Sequence, residues 1–425
     1  MPVHTLAELI RFVRSNSAFY AELYSGLPER VTELSALPVI PQTRFWQANS
    51  PRPNTLLTGP LEEAVVFRSG GTTGAPKFSF YTREEWREFT TSFGSGLTGA
   101  GLEPGQRVAD LFYAGDLYAS FTFVLDALHR SPVSNVRLPI GGAAPLSSTV
   151  ATLEQFDVDV IAGTPTTLCS LAEHLTAAGR QLPAVSRLFF GGESLFGDQQ
   201  RLLATAFPAA RVTSIGYAAV DAGLVGLPVP GDDPRLHRVP APHTVVEILD
   251  EESGEPITRA GLPGRVVVTD LRRRLMPVLR YPVGDRAEWT DTAAGHFRIL
   301  GRAEEGVRVG PVALHTQDVH DLVHTADIAG RVTGVQLVVR RSQGSDGVDR
   351  DGLLLRLGCD TGAGGLTELA AAVEKAFHAA RPMYADAVAA RHVHPVALEL
   401  VRHADLAVNA RSGKLIRVLD ERPHA

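Results

Sequence analysis

Cysteine is almost missing: Cys169 and Cys359 are the only two in 425 residues. Two thiols exclude a disulfide scaffold and a cysteine-based zinc or iron–sulfur centre, and they fit a reducing compartment. No run approaches the roughly 18 apolar residues of a membrane span. The opening MPVHTLAELIRFVRSN has no apolar leader core, so a cytoplasmic protein without a membrane partner is expected. An excess of one charge is lacking too. The 41 basic and 47 acidic residues leave −6, which offers nucleic acid no basic surface. Lysine is the scarcest charged residue: Lys77, Lys375 and Lys414 are three of the 41 basic side chains, and the rest are arginine. Arginine cannot replace a compact ammonium with rotatable donors everywhere. The surviving lysines therefore mark positions to examine.

What is present reads as globular. The hydrophobic share is 44% and the charged share 21%, and a chain of this length carries about two or three domains. Leu6, Leu9, Ile10 and Val13 repeat at helical spacing. The proline-rich stretch from Pro38 to Pro60 is read as extended loop. Short apolar strands then alternate with helices: strand Leu61–Arg68, a helix N-capped by Thr82, strand Val108–Phe112, helix Leu117–Leu128, strand Val158–Ala162, helix Thr167–Ala178 and strands Leu188–Phe190 and Val212–Ile215. This alternation predicts an α/β sheet. From about Thr244 the pattern is strand-rich. After residue 301 a small α+β unit follows, in which RRSQGSDGVDRD is read as a hairpin loop. The expected architecture is α/β: a large N-terminal domain with several sheets, residues 1–301, and a small mobile α+β C-terminal domain, residues 302–425.

The strongest motif is SGGTTGAPK, Ser69 to Lys77. Its glycines permit a tight turn that presents N–H groups, its threonine hydroxyls can donate to phosphate oxygens, and Lys77 adds a mobile positive charge. A Walker loop would place Ser or Thr after the lysine and begin a helix there. Here Pro76 precedes Lys77 and the segment Phe78–Tyr81 reads as strand.

This segment resembles the phosphate loop of the adenylate-forming (acyl-CoA synthetase, adenylation-domain) superfamily. Further segments are similar to that family's signatures in the family's order: TSIGYAAVDAG (Thr213–Gly223), RYPVGD (Arg280–Asp285), LGRAEEGVRVG (Leu300–Gly310) and NARSGKLIRV (Asn409–Val418). The segments SAFYAEL, LFYAGDLYASF and FGGESL resemble the phenylacetate-CoA ligase-like branch.

The resemblance implies roles. Ser69, Gly71, Thr72, Thr73 and Lys77 would hold the β- and γ-phosphates of ATP. Tyr217 would lie against adenine, Gly191, Gly192 and Glu193 would border adenine and the acyl pocket, and Asp285 would accept the ribose hydroxyls. Arg302 would contact ribose or phosphate. Lys414 would bridge the substrate carboxylate and the α-phosphate, with Thr73 and Asp221 as further catalytic candidates. Asp221 stands where the family places a glutamate that binds Mg2+, one methylene longer. Tyr113, Tyr118, Gly216 and Ala218 are candidates for the substrate pocket, and Glu304 for the hinge. The implied activity is activation of a small carboxylic acid, aromatic by branch, followed by transfer to CoA. Transfer to an acyl carrier protein, an amine or a partner enzyme, and a catalytically degenerate nucleotide-binding relative, are the alternatives. A homodimer is left open.

Weaker patterns have plainer readings. His320 and His324 lie four apart on a predicted helix, read as a solvated face. Lys375 reads as surface charge, Glu62 and Glu63 as a turn, and the role of Asp116 is open.

Overall fold

The computed structural model describes residues 5–69, 77–195, 197–231, 233–302, 306–344, 346–359 and 364–422, without the side chains of residues 197 and 198. Its centre is a five-stranded parallel sheet, ordered Asn135–Pro139, Gln106–Asp110, Val160–Gly163, Arg187–Phe190 and Arg211–Ser214. Alternate residues face opposite sides of a strand. Accordingly Ala109, Ile161, Leu188 and Phe190 enter one core, and Val108, Val160, Ala162 and Phe189 enter the other. Helices Ser120–Arg130, Leu146–Gln155, Pro165–Ala177 and Gly197–Ala206 make the crossovers. Parallel strands buried on both faces read as continuous apolar runs, which is why they were visible in the sequence.

A seven-stranded antiparallel sheet packs beside it, ordered Thr244–Leu249, Pro263–Asp270, Val278–Asp291, His296–Arg302, Leu236–Arg238, Gly223–Pro228 and Tyr217–Ala219. The hairpin Ala64–Ser69/Lys77–Thr82 pairs Ala64 with Thr82 at its open end and Ser69 with Lys77 at the other. Thr82 then caps helix Arg83–Gly99 through a capping box with Glu85. The C-terminal residues build a separate core from Val307 to Val396, around the sheet Ala397–Val401, Asp349–Cys359, Val332–Gln343 and Val418–Asp420.

Four readings of the sequence change. The proline-rich stretch contains helix Gln42–Ala48, which buries Phe45 against Phe19 and Tyr281. The helix expected from Leu117 begins at Ser120, because Asp116 and Leu117 take left-handed φ of 49° and 59° and Asp116 pairs with Arg68. Most of RRSQGSDGVDRD is strand, since the pairing runs out to Gln343 and resumes at Asp349. His320 is buried at 8% exposure, and burial holds its imidazole pKa down to about 3. The face it lies on packs against the N-terminal residues rather than water: Thr166, Glu193 and Gln199 line the same cavity as His320 and Arg417.

Candidate active site

Ligands of open α/β sheets settle beyond the carboxyl ends of the strands. Two of those ends here deliver Gly191 and Gly192 after Phe190, and Gly216 and Tyr217 after Ser214. Gly192 has φ +82°, and a Cβ there would sit 3.3 Å from Lys414 Nζ. A side chain at position 192 would therefore displace the ammonium. Gly413, with φ +63°, presses its backbone on the Tyr113 ring so closely that a Cβ would lie 2.0 Å from Cε2. Gly142 meets the same ring, with a Cβ position 2.3 Å from Cε2. Tyr113 is thus clasped between two glycines, and the Lys414 turn rests on it.

Glu193 joins the start of helix Pro165–Ala177 to the C-terminal residues. Its Oε1 accepts from Leu415 N at 2.7 Å and Thr166 Oγ1 at 3.1 Å, and its Oε2 accepts from Thr166 N at 3.2 Å. Arg411 donates to Arg68 O at 3.1 Å and places its guanidinium 5.6 Å from the Tyr118 ring. The segment carrying Lys414 is therefore held by the N-terminal residues on three sides.

Tyr217 donates its hydroxyl to Asp285, and Arg302 Nη1 lies 3.3 Å from the other oxygen of that carboxylate. Burial, first of all, raises the Asp285 pKa against the opposing charge of Arg302. Burial and then the Asp285 charge push the Tyr217 hydroxyl well up, so it remains a donor. Behind Tyr217 lies His237, whose ring centroid is 6.0 Å from that of Tyr217. Its Nδ1 donates to Arg235 O at 2.9 Å, so Nε2 accepts from Ser214 Oγ at 3.1 Å. Ser214 Oγ in turn accepts from Gly216 N at 3.1 Å. Burial lowers the His237 pKa to about 4, which keeps this chain in one protonation state. Gly216 has φ +123°, and a Cβ there would meet Gly226 O at 3.1 Å.

At the Ser69–Lys77 end of the hairpin, Lys77 Nζ stands 5.4 Å from the Trp46 ring centroid. Trp46 meets Tyr281 edge-on at 6.2 Å, and the Tyr281 hydroxyl donates to Asp221 Oδ2 at 2.8 Å. Arg273 spans the base of this group: it donates to Asp221 O at 2.5 Å and to Phe80 O at 2.9 Å, with its guanidinium 4.1 Å from the Tyr81 ring centroid. Among the described residues no group of three His, Cys, Asp or Glu could hold a metal ion. Asp221 Oδ1 takes no hydrogen bond from a described residue. The donor set is one carboxylate oxygen, which suits a Mg2+ ion that takes its other ligands from phosphates and water.

Of the residues singled out in the sequence, Gly71, Thr72, Thr73 and Glu304 lie outside the described residues. Gly192, Glu193, Tyr113 and Lys414 come together, as do Tyr217, Asp285 and Arg302, and Lys77 shares an aromatic wall with Asp221. Ala218 is half-buried on the short strand Tyr217–Ala219, and Gly191 packs on Ile215. Trp46, Tyr281, Arg273, His237 and Arg411 were not found by sequence reasoning. Tyr281 lies within RYPVGD and Arg411 within NARSGK, so the motifs contained a signal for these two. The others act only through tertiary proximity.

Residues 29–270 match the AMP-binding enzyme family. The phenylacetate-coenzyme A ligase of Thermus thermophilus is 27% identical over 321 residues, covering 74% of this chain and 69% of that protein. The fold is that of 2-hydroxyisobutyryl-CoA ligase. In its postadenylation state with 2-HIB-AMP, that structure superposes with a TM-score of 0.76 at 18% identity, covering 98% of this chain and 88% of the other. In its thioesterification state with 2-HIB-AMP and CoA, the TM-score is 0.62 at 20% identity over the same shares of the chains.

Proposed function

We propose, from the premise that the chain belongs to the AMP-binding enzyme family, that it is an AMP-forming acid–CoA ligase acting on a small carboxylic acid, aromatic by resemblance. In the first step a carboxylate oxygen attacks the α-phosphorus of ATP. The bond to the β-phosphate bridging oxygen breaks, and acyl-adenylate and pyrophosphate form. In the second step the CoA thiolate attacks the acyl carbon and AMP leaves.

The single observation that carries the reading is the placement of Lys414 against Gly192. It sets an ammonium beyond the ends of the parallel strands, where two anions would be brought together. Fixed charge aimed at such a centre is the largest expected catalytic contribution. Tyr217 and Asp285, with Arg302, form the adenosine side. Asp285 has two oxygens for ribose hydroxyls once Tyr217 and Arg302 share it. Ser69 and Lys77, with Gly71, Thr72 and Thr73 of the intervening motif, would serve the β,γ-phosphates. Asp221 Oδ1 would hold Mg2+, which supplies charge neutralisation at the departing pyrophosphate. Tyr113 and Tyr118 wall an acid that is aromatic by resemblance.

Two arrangements of one site are needed for two steps with different partners. A division at residues 1–301 and 302–425, turning about Glu304, is supported by the separate C-terminal core. The better superposition on the postadenylation state supports the present arrangement as that of the first step. The test is pyrophosphate release from ATP across a panel of aryl and short acids, with the CoA product weighed by mass spectrometry. Pyrophosphate and an acyl-CoA with one acid are expected. Pyrophosphate release without a CoA product would move the acceptor to a carrier protein or an amine, and release with no acid would overturn the reading.

A further inference from the structure

Helix Pro165–Ala177 touches the C-terminal residues at both ends. At its start Thr166 shares the Glu193 carboxylate with Leu415. About two turns further on, Glu173 accepts from His403 N at 3.0 Å and from Ala404 N at 3.0 Å, one bond to each carboxylate oxygen. These amides open the short 3-10 turn His403–Asp405. The first N–H groups of a helical turn have no partner within it, so a carboxylate facing them meets an unmet demand. The neighbouring Arg402 does not compete for Glu173, because its guanidinium is fixed to Asp405 at 2.8 and 2.7 Å.

Both sides of the contact are rigidly mounted. On one side Leu168, Leu171, Ala172 and Leu175 bury the helix in the N-terminal core. On the other, His403 is buried and its Nδ1 lies 3.1 Å from Thr333 Oγ1 on the strand Val332–Gln343. The Glu173 bonds therefore report, and stabilise, one position of the whole C-terminal unit. That position is the one that lays Lys414 beside Gly192. A rotation of the unit would break both bonds.

We propose that Glu173 is a positioning residue, a latch that holds the C-terminal unit in the adenylate-forming arrangement and must release before the thiol step. The inference rests on the two-step ligase reading. It assigns Glu173 no contact with any substrate.

The experiment uses the full chain with Glu173→Gln and Glu173→Ala. Three quantities are measured: pyrophosphate release with ATP and phenylacetate or 2-hydroxyisobutyrate, thioester formation from pre-made phenylacetyl-adenylate and CoA, and hydrogen exchange at the His403 and Ala404 amides. Two bonds to an ionised group imply that Glu173→Ala slows the first step by about tenfold or more, with Glu173→Gln between it and the wild type. The second step should run at the wild-type rate or faster. Exchange at the two amides should rise, while the amides of Leu353 and Leu355 in the neighbouring core stay protected. Equal losses in both steps, or unchanged exchange at His403 and Ala404, would overturn the latch. If the wild type makes no adenylate from either acid, the ligase reading fails for those acids, and the exchange result alone then decides whether Glu173 holds the unit.

Discussion

Lys414 is one of three lysines in a chain that otherwise uses arginine for positive charge. Its surroundings explain why a slim ammonium is kept: Gly192 leaves no room for a side chain beside Nζ, and a planar guanidinium is broader. Lys414→Ala is expected to cut adenylate formation by about a hundredfold or more, while nucleotide affinity by calorimetry stays near that of the wild type. Lys414 makes no hydrogen bond with Tyr217, Asp285 or Arg302, which bond to one another, so a large loss of ATP affinity would contradict its assignment. A second residue carries a pH signature. Asp110 ends a central strand, fully buried, with Oδ1 accepting from Phe112 N at 2.9 Å and no partner for Oδ2 among the described residues. Burial raises its pKa from 3.8 to about 8. The folded state thus keeps a proton that the unfolded chain releases. Stability from this group is complete below pH 3.8 and is lost as pH rises through about 8. Asp110→Asn removes the titration. The melting temperature of the variant relative to wild type should therefore climb between pH 5 and pH 8, and a constant difference would refute the buried acid.

The turn Asn409–Lys414 shows how an element aims a residue. Asn409 Oδ1 accepts from Arg411 N and Ser412 N at 3.0 and 3.1 Å, and Gly413 N closes the turn on Asn409 O at 2.7 Å. Gly413 then presses on Tyr113. Gly413→Ala adds a methyl where the ring already stands and strains a left-handed position. The expected result is a loss of adenylate formation of about tenfold or more, with little change in melting temperature because the turn is peripheral to the cores. Adding Tyr113→Ala should recover part of the loss if the clash is the cause, and strictly additive effects of the two substitutions would contradict it. Elements differed in how readable they were. The helix announced by Thr82 was plain, because capping is local chemistry, and the helix from Leu6 was plain from its apolar spacing. Helix Gln42–Ala48 was hidden among prolines, since what holds it is Phe45 packing on residues far away in sequence. His320 was misread for the same reason: the surface that buries it belongs to the other core.

Across the whole molecule, the α/β pattern and the order of the motifs were legible because phosphate, ribose and carboxylate chemistry demand particular residues in runs of a few positions. The partners that make those residues work were not. Arg411 reaches Arg68 across 343 residues, and Glu173 reaches His403 across 230. His237 supports Tyr217 only because their two strands flank the strand Gly223–Pro228 in one sheet. These contacts depend on how the two cores meet, which no local pattern encodes. They also tie the account to one chemical event, the transfer of a carboxylate oxygen to the α-phosphorus of ATP. Oxygen-18 in the acid follows that event directly. With both carboxylate oxygens labelled, and ATP and CoA supplied, the AMP released by the wild-type protein should carry one labelled oxygen while pyrophosphate carries none. Unlabelled AMP, or ADP with labelled phosphate, would show that the acid never bonded to the α-phosphorus and would contradict the account.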